Sequence, residues 1–338
     1  MHFRTAGLGR SSIVWRITRG RRSYRIFAAA AVAMTFAAGA AIPGVVAAEP
    51  MRRVNHGGFE RLMVPSSMGP IAVEVQWAAR GGSAALYLLD GLRAQDDRNA
   101  WAKETNALDQ FRADDITVVL PVGGKSSFYA NWYWPSNTNG QKITYKWETF
   151  LTSELPAFLE GYGVSRTNNA VVGLSMGATA ALALAAYHRD QFKYAASFSG
   201  YLSLSGPGMR EAIRLAMLDA GGFNVDMFAP VSSPQWLRHD AVVFAPQLRG
   251  LPMYISAASG LPGPYDRPAS AVGVFNTATA MGLEALSLVT TRSFQARLDS
   301  IGIPARFEFP SAGTHSWPYW QGQLFQARQG ILDATGSW

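Results

Sequence analysis

The sequence of 338 residues contains no cysteine, and no acidic residue occurs before Glu49. Without cysteine the chain can form no disulfide, no thiol nucleophile and no thiolate metal site. Its histidines and carboxylates also lack the spacing of metal ligands, so we expect neither a metal nor a cofactor. The domain must therefore be stabilised by packing, and about 290 residues bury enough surface for one large core.

The first 48 residues have the composition of a secretory signal. They contain seven arginines, the apolar run Ile26–Ala41 and small residues at 46–48. The apolar run is short for a stable membrane span. We therefore expect a cleaved signal peptide at 1–48, a single domain at 49–338 without a transmembrane span, and a secreted or cell-envelope protein. Arg21-Arg22 leaves a twin-arginine route open beside the general secretory route.

The basic character of the chain belongs to this N-terminal segment. The chain has 30 basic and 23 acidic residues, and removing the seven arginines of residues 1–48 leaves 23 basic residues. A nearly neutral domain without a basic patch between aromatic residues is not typical of nucleic-acid binding. We expect no nucleic-acid partner.

Residues 168–182 predict a catalytic nucleophile. They contain Gly-Leu-Ser-Met-Gly between a β-branched run and a helical run rich in alanine and leucine. A G-x-S-x-G sequence between a strand and a helix is typical of a nucleophile elbow, which presents the serine at the carboxyl end of a sheet. Ser175 is the candidate nucleophile. The amide of Met176, at the start of the helix, is a candidate donor to an oxyanion.

Apolar runs and helical patterns alternate along the chain. The runs predict the strands Glu60–Val64, Ile71–Trp77, Ala84–Leu89, Ile116–Leu120, Ala170–Val172, Tyr194–Phe198, Pro252–Ala257 and Arg306–Phe309. Helical spacing covers 99–112, 147–159, 178–187, 209–218, 270–301 and 319–332, whereas 221–248 reads as irregular. This alternation favours an α/β fold with a mostly parallel central sheet, an antiparallel edge pair and helices on both faces.

A serine nucleophile needs a base and usually a carboxylate behind it. Of the five histidines, His315 follows the last predicted strand, where this architecture has its base. The residues alone leave the carboxylate open between Asp266 and Glu284. Asp266 follows a strand, and Glu284 is a single acid in an apolar helical stretch that would need a partner if buried.

The second oxyanion donor should come from the loop after Ala84–Leu89. The amide of Leu92 is the candidate. Asp90 and Arg93 flank it, and we expect both at the mouth of the pocket, although a local surface pair is the simpler alternative.

Several motifs resemble the antigen 85-type mycolyltransferases of mycolic-acid bacteria. They occur in family order over nearly all of residues 49–338, namely at 88–97, 121–129, 145–156, 173–176, 219–222 and 313–317. The resemblance implies an α/β-hydrolase fold and acyl transfer through a serine acyl-enzyme, of the diacylglycerol acyltransferase/mycolyltransferase type. The implied donor is trehalose monomycolate. The implied acceptor is a second trehalose monomycolate, giving trehalose dimycolate, or cell-wall arabinogalactan.

The resemblance also implies the residues of the site. The triad would be Ser175, Glu284 and His315, because the family's acid lies in a similar Leu-Glu context about thirty residues before the histidine. The other residues carried over are the oxyanion donors Leu92 and Met176 and the sugar-binding residues Asp90, Arg93 and Trp317.

Two other functions remain as alternatives. One is a secreted serine carboxylesterase on the same scaffold, which would release free acid. The other is a non-catalytic adhesion or carbohydrate-binding protein, and binding to host matrix proteins is conceivable from the family resemblance alone. A non-catalytic branch of the family lacks the serine nucleophile, whereas this chain retains Ser175 and His315.

Overall fold

The computed structural model describes residues 56–231 and 233–338. The predicted signal peptide lies outside the described residues. Within them, one sheet has eight strands, which are β1 (Phe59–Val64), β2 (Ile71–Gln76), β3 (Ala84–Leu89), β4 (Ile116–Pro121), β5 (Asn169–Leu174), β6 (Phe192–Phe198), β7 (Met253–Ser256) and β8 (Arg306–Glu308).

The sheet is mostly parallel. Its order is β1-β2-β4-β3-β5-β6-β7-β8. The pairings β1–β2 and β2–β4 are antiparallel, and the other five are parallel. Strands β3, β4 and β5 are buried along their whole length, as their largely apolar sequences require. The predicted mostly parallel sheet with an antiparallel edge is confirmed.

The helices are α1 (Ala100–Glu104), α2 (Ala107–Gln110), α3 (Trp147–Thr149), α4 (Leu155–Glu160), α5 (Met176–Tyr187), α6 (Met209–Gly221), α7 (Val225–Phe228), α8 (Pro234–Arg238), α9 (Ala241–Phe244), α10 (Ala271–Ser300) and α11 (Trp317–Thr335). A π-helical stretch, Phe150–Glu154, joins α3 to α4, and a 3-10 turn, Ala245–Leu248, follows α9.

Helices cover both faces of the sheet. In β3, Tyr87 belongs to the apolar cluster that contains α5, whereas Leu86 and Leu88 belong to a second cluster with Leu324 and Ile331 of α11. Successive strand residues point to opposite faces. Helices α5 and α11 therefore lie on opposite sides, as the α/β prediction requires.

Two segments differ from the sequence prediction. The single helix expected over 99–112 is two, because Thr105 is extended and its hydroxyl bonds the backbone on both sides. The segment 221–248 was expected to be irregular but contains α7, α8 and α9. Asn224 and Asp240 cap α7 and α9 by accepting from the amide two residues on, and Pro234 begins α8.

One described helix, α10, is long and apolar enough to cross a membrane by length and composition. Its C-terminal part packs into the domain through Glu284, Ser287, Thr290, Thr291, Phe294 and Leu298, which are buried. A helix fixed in this way is an element of the globular fold, and its exposed N-terminal part is considered below.

Candidate active site

The turn between β5 and α5 holds Ser175 in a strained backbone conformation. Its φ is 53° and its ψ is −121°, a combination that side-chain-bearing residues rarely adopt. The glycines on either side allow the close approach. A Cβ on Gly173 would lie 2.1 Å from the Gly177 carbonyl oxygen, and one on Gly177 would lie 2.4 Å from the Asp90 carbonyl oxygen. The strand–turn–helix predicted around Ser175 is therefore present.

His315 and Glu284 form a hydrogen-bonded pair. The His315 Nδ1 lies 2.8 Å from the Glu284 Oε2, and the two side chains are 7% and 1% exposed. With the carboxylate accepting from Nδ1–H, the Nε2 lone pair is left to take a proton. Because a carboxylate buried this deeply needs donors, the contact also accounts for a single acid in an apolar helix.

Asp266 lies next to this pair but bonds to other groups. Its carboxylate accepts from the Thr314 hydroxyl at 2.6 Å, the Tyr319 hydroxyl at 2.5 Å and the Gly263 amide at 2.8 Å. Burial alone would raise the pKa of Asp266, but these hydrogen bonds hold it below its ordinary value. Of the two carboxylates that the residues left open, the structure brings Glu284 to the histidine and uses Asp266 to hold the loop.

The second oxygen of Glu284 is held by Ser199. The Ser199 hydroxyl donates to Glu284 Oε1 at 2.8 Å and accepts from the Trp320 indole N–H at 2.9 Å. The Ala258 amide donates to the same Oε1 at 2.7 Å. Both carboxylate oxygens are therefore satisfied without water, and the imidazole is restricted to one orientation.

Aromatic rings hold the imidazole from two sides. Tyr201 stacks on the His315 ring at a centroid distance of 6.1 Å, and Trp320 meets it edge-on at 4.9 Å. Sequence reasoning assigned no role to Ser199 or Trp320. A signal for Ser199 was present in the sequence, since the Ser199-Gly200 pair directly follows β6. Parallel strands end at the same edge of the sheet, so this pair was bound to lie near Ser175, which follows β5.

Ser175 is next to this network through the sheet. Leu174 and Phe198 are paired residues of β5 and β6, and the Ser175 amide donates to the Phe198 carbonyl at 2.8 Å. Ser175 and Ser199 therefore follow neighbouring strands side by side. Ser199 also has a φ of 53°, so both residues leave the sheet through strained turns.

The predicted oxyanion donors lie close to Ser175 in the chain or in space. Met176 follows it directly, and a Cβ on Gly91, next to Leu92, would lie 3.5 Å from the Ser175 Cβ. Among the described residues, neither the Leu92 nor the Met176 amide donates to a protein acceptor. Free amides beside a serine hydroxyl are what a developing oxyanion requires.

Asp90 and Arg93 do not form a pair. Asp90 is fully buried, accepts from the Ala100 amide at 3.0 Å, and has no partner for Oδ1 among the described residues. Burial raises its pKa to about 7. Arg93 is exposed and forms an ion pair with Asp219. Arg93 is therefore open to solvent, whereas Asp90 is enclosed, and a place for both at the pocket mouth stays a prediction.

Trp317 begins α11, one ring away from the histidine. It packs edge-on against Trp320 at 5.2 Å and against Trp101 at 5.6 Å. In the aromatic loop 125–145, Phe128, Tyr129 and Trp132 are buried in the core, whereas Tyr133 and Trp134 are 43% and 52% exposed. Of these five rings, only those of Tyr133 and Trp134 are open to a ligand.

The strand order, the serine turn after β5 and the histidine after β8 place the protein among the α/β-hydrolases. A family model described as "Putative esterase" matches residues 66–331. The diacylglycerol acyltransferase/mycolyltransferase Ag85C of Mycobacterium avium is 46% identical over 270 residues, which are 78% of this chain and 74% of the relative. Ag85A of Mycobacterium leprae is 42% identical over 313 residues, 90% of this chain and 92% of the relative.

Solved structures agree with these relatives. Mycobacterium tuberculosis MPT51 (FbpC1) has a TM-score of 0.70 and 31% identity over 82% of this chain and 99% of that chain. A fluorophosphonate-binding serine hydrolase of Staphylococcus aureus, FphF, has a TM-score of 0.61 at 17% identity over 82% of this chain and 99% of that chain, and supports the fold alone. The chain belongs to the esterase family and, within it, to the antigen 85-type mycolyltransferases.

Proposed function

We propose that this protein transfers a mycolyl group from trehalose monomycolate to a second sugar hydroxyl through an acyl-enzyme on Ser175. The observation that carries the proposal is the Ser175 turn beside the bonded pair of His315 and Glu284, in a chain whose relatives are named mycolyltransferases. No metal or cofactor is needed for this chemistry.

In the first half of the reaction, the Ser175 Oγ attacks the ester carbonyl while His315 Nε2 takes its proton. The amides of Leu92 and Met176 stabilise the oxyanion. Collapse breaks the bond to the sugar oxygen, which receives the proton from His315 and leaves as trehalose. Glu284 stays ionised and stabilises the charged imidazole.

In the second half, His315 removes the proton from the acceptor hydroxyl, whose oxygen attacks the acyl-serine. Ser175 is released with the proton that His315 returns. The acceptor is a second trehalose monomycolate, giving trehalose dimycolate, or cell-wall arabinogalactan. Transfer exceeds hydrolysis when the acceptor is held in line and water is excluded.

Several exposed or aromatic side chains support a sugar acceptor. Arg93 is a charged donor at the surface. Tyr133 and Trp134 expose aromatic rings on which a pyranose can stack, and Trp317 adds an aromatic wall near the base. The resemblance also assigns Asp90 to the sugar site, and its buried Oδ1 has no protein partner among the described residues.

A secreted or cell-envelope location belongs to the same proposal, because donor and acceptor are envelope components. Export would depend on the predicted signal at 1–48. Binding to host matrix proteins has no feature of the described residues in its favour beyond the family resemblance.

The test compares purified wild type with Ser175→Ala, each incubated with trehalose monomycolate and followed by mass spectrometry. We expect the wild type to form trehalose dimycolate and free trehalose, and the variant to form neither. Free mycolic acid as the sole product would instead identify a carboxylesterase. A wild type that neither reacts with a fluorophosphonate probe nor turns over any ester would favour a non-catalytic binding protein.

A further inference from the structure

The N-terminal part of α10 is an exposed apolar helix. None of its residues from Ala271 to Leu283 is buried, and burial begins only at Glu284. Val272, Val274 and Phe275 are 69%, 56% and 72% exposed. We call residues 271–283 the apolar tip.

The tip contains no charged side chain, and the uncharged stretch extends back to Pro268. An 18-residue window of α10 has a mean hydropathy of 1.3, although only 11% of it is buried. The segment leading into the helix adds Leu261 and Tyr265, which are 59% and 63% exposed. Continuous apolar exposure of this kind is unusual on a soluble surface and marks an interaction site.

The tip is joined to the catalytic network. The His315 amide donates to the carbonyl of Ala280 at 3.2 Å, so the base is attached to the tip through its own backbone. Glu284 is the next buried residue along the same helix and bonds the imidazole. The C-terminal end of the tip therefore lies beside the base and the acid of the site.

We propose that the apolar tip docks on a lipid surface and inserts into its acyl region. This inference rests on the proposed function, because a substrate with long acyl chains resides in a lipid layer and not free in water. An anionic headgroup layer would be matched by lysine and arginine, and the tip has none. An uncharged helix with exposed valine and phenylalanine instead matches the acyl boundary itself, at which the ester of the donor lies.

Docking there would also serve the chemistry. A serine site reached from the lipid layer receives the acyl chain without exposing it to water, which lowers the cost of leaving the layer. The same contact would restrict the access of water to the acyl-enzyme from that side, which favours transfer over hydrolysis.

The experiment measures binding of the purified protein to phosphatidylcholine vesicles by co-sedimentation, without any reactive substrate. The test variant carries Val272→Ser, Val274→Ser and Phe275→Ser together. The matched control is Phe325→Ser, because Phe325 is 63% exposed on α11 and lines a surface cleft with Asn106 and Asp109. We expect the triple variant to bind at least about tenfold more weakly, given the apolar area lost, and the control to bind like the wild type.

Further measurements on the same proteins complete the test. Binding of the wild type should change little between low and high salt, because charge does not drive it. Hydrolysis of soluble p-nitrophenyl butyrate should be the same in the wild type and the triple variant, which shows that the fold and the site remain intact. Transfer from vesicle-embedded trehalose monomycolate should fall with binding.

The proposal is overturned if the triple variant and the wild type bind vesicles equally, or if Phe325→Ser loses as much binding. It is also overturned if the wild type fails to bind vesicles and instead forms a dimer in sedimentation velocity that the triple variant does not form. Failure of the proposed function gives a different result, because vesicle binding would persist while no acyl product formed.

Discussion

His315 Nδ1 and Glu284 Oε2 lie 2.8 Å apart, although 31 positions separate the two residues in the chain. The contact forms because α10 brings Glu284 under the loop that follows β8. It fixes the orientation of the imidazole and leaves Nε2 as the proton acceptor.

Glu284→Gln should reduce kcat by roughly 10³-fold or more, because an amide cannot stabilise the imidazolium and favours the wrong tautomer. KM should change little, since Glu284 is buried away from the substrate. Asp266→Asn is the matched control and should cost less than about tenfold, a loss of at most ~1.4 kcal/mol. Steady-state kinetics on a soluble ester measure both. A larger loss for Asp266→Asn than for Glu284→Gln would reverse the assignment of the acid.

Ser199→Ala removes a hydrogen bond to Glu284 and leaves the indole N–H of Trp320 without its acceptor. We expect a loss of about 1–3 kcal/mol in the free energy of unfolding, because both groups are buried. As a positioning residue, Ser199 should affect kcat and the pH profile of kcat and leave KM unchanged. Trp320→Phe keeps an aromatic ring near His315 and keeps the Ser199–Glu284 hydrogen bond, but removes the indole N–H together with part of the ring area. Its kcat should therefore lie between those of the wild type and Ser199→Ala. Equal pH profiles for all three proteins would show that the role of Ser199 is structural alone.

Gly177→Ala should be strongly destabilising. Its Cβ would lie 2.4 Å from the backbone oxygen of Asp90 and 2.8 Å from that of Leu89, so α5 would have to move away from β3. We expect a loss of about 3 kcal/mol or more, as for severe overpacking. Gly322→Ala is the control, because no atom lies within 4 Å of its Cβ inside α11. It should gain about 0.5–1 kcal/mol from helix propensity. Chemical denaturation of both variants gives the comparison.

The local motif around Ser175 predicted its strand–turn–helix, because the glycines needed for close approach lie two positions away on either side in the sequence. The choice between Glu284 and Asp266 was different in kind. Both acids precede His315 in the chain. Only the packing of α10 against the strand ends determines which carboxylate contacts the His315 imidazole. Family resemblance favoured Glu284 where the residues themselves did not.

Two features of the site depend on distant pairings that no local pattern encodes. Ser199 and Trp320 meet across 121 positions. Asp90 was expected at the pocket mouth because it flanks Leu92, but it follows a fully buried strand and accepts from the amide at the start of α1. The helices of 221–248 were missed because each has only four or five residues, too short for a helical period to be visible.

The turn at Ser175 should store measurable strain. Ser175→Ala keeps a Cβ at a φ of 53° and a ψ of −121°, whereas Ser175→Gly relieves it. Both variants should be inactive, yet the glycine variant should be about 1 kcal/mol more stable than the alanine variant despite the larger entropy of its unfolded chain. Parallel urea titrations measure the difference. A less stable glycine variant would mean that the surrounding hydrogen bonds impose no strain on this residue.

Asp90 should make stability fall as pH rises. Burial raises the pKa of its carboxyl from 3.8 to about 7, so the native state binds a proton that the unfolded chain releases. The stabilisation is fully present below pH ~4 and is lost as pH rises through about 7. Asp90→Asn cannot ionise and keeps the shape of the side chain. We expect the melting temperature of the variant, relative to that of the wild type, to rise by several degrees between about pH 5 and about pH 8.5, which bracket this pKa. Calorimetry measures both melting temperatures. If the melting temperatures of the two proteins instead change with pH in the same way, Asp90 is ionised in the native state. Its Oδ1 would then need a cationic or water partner.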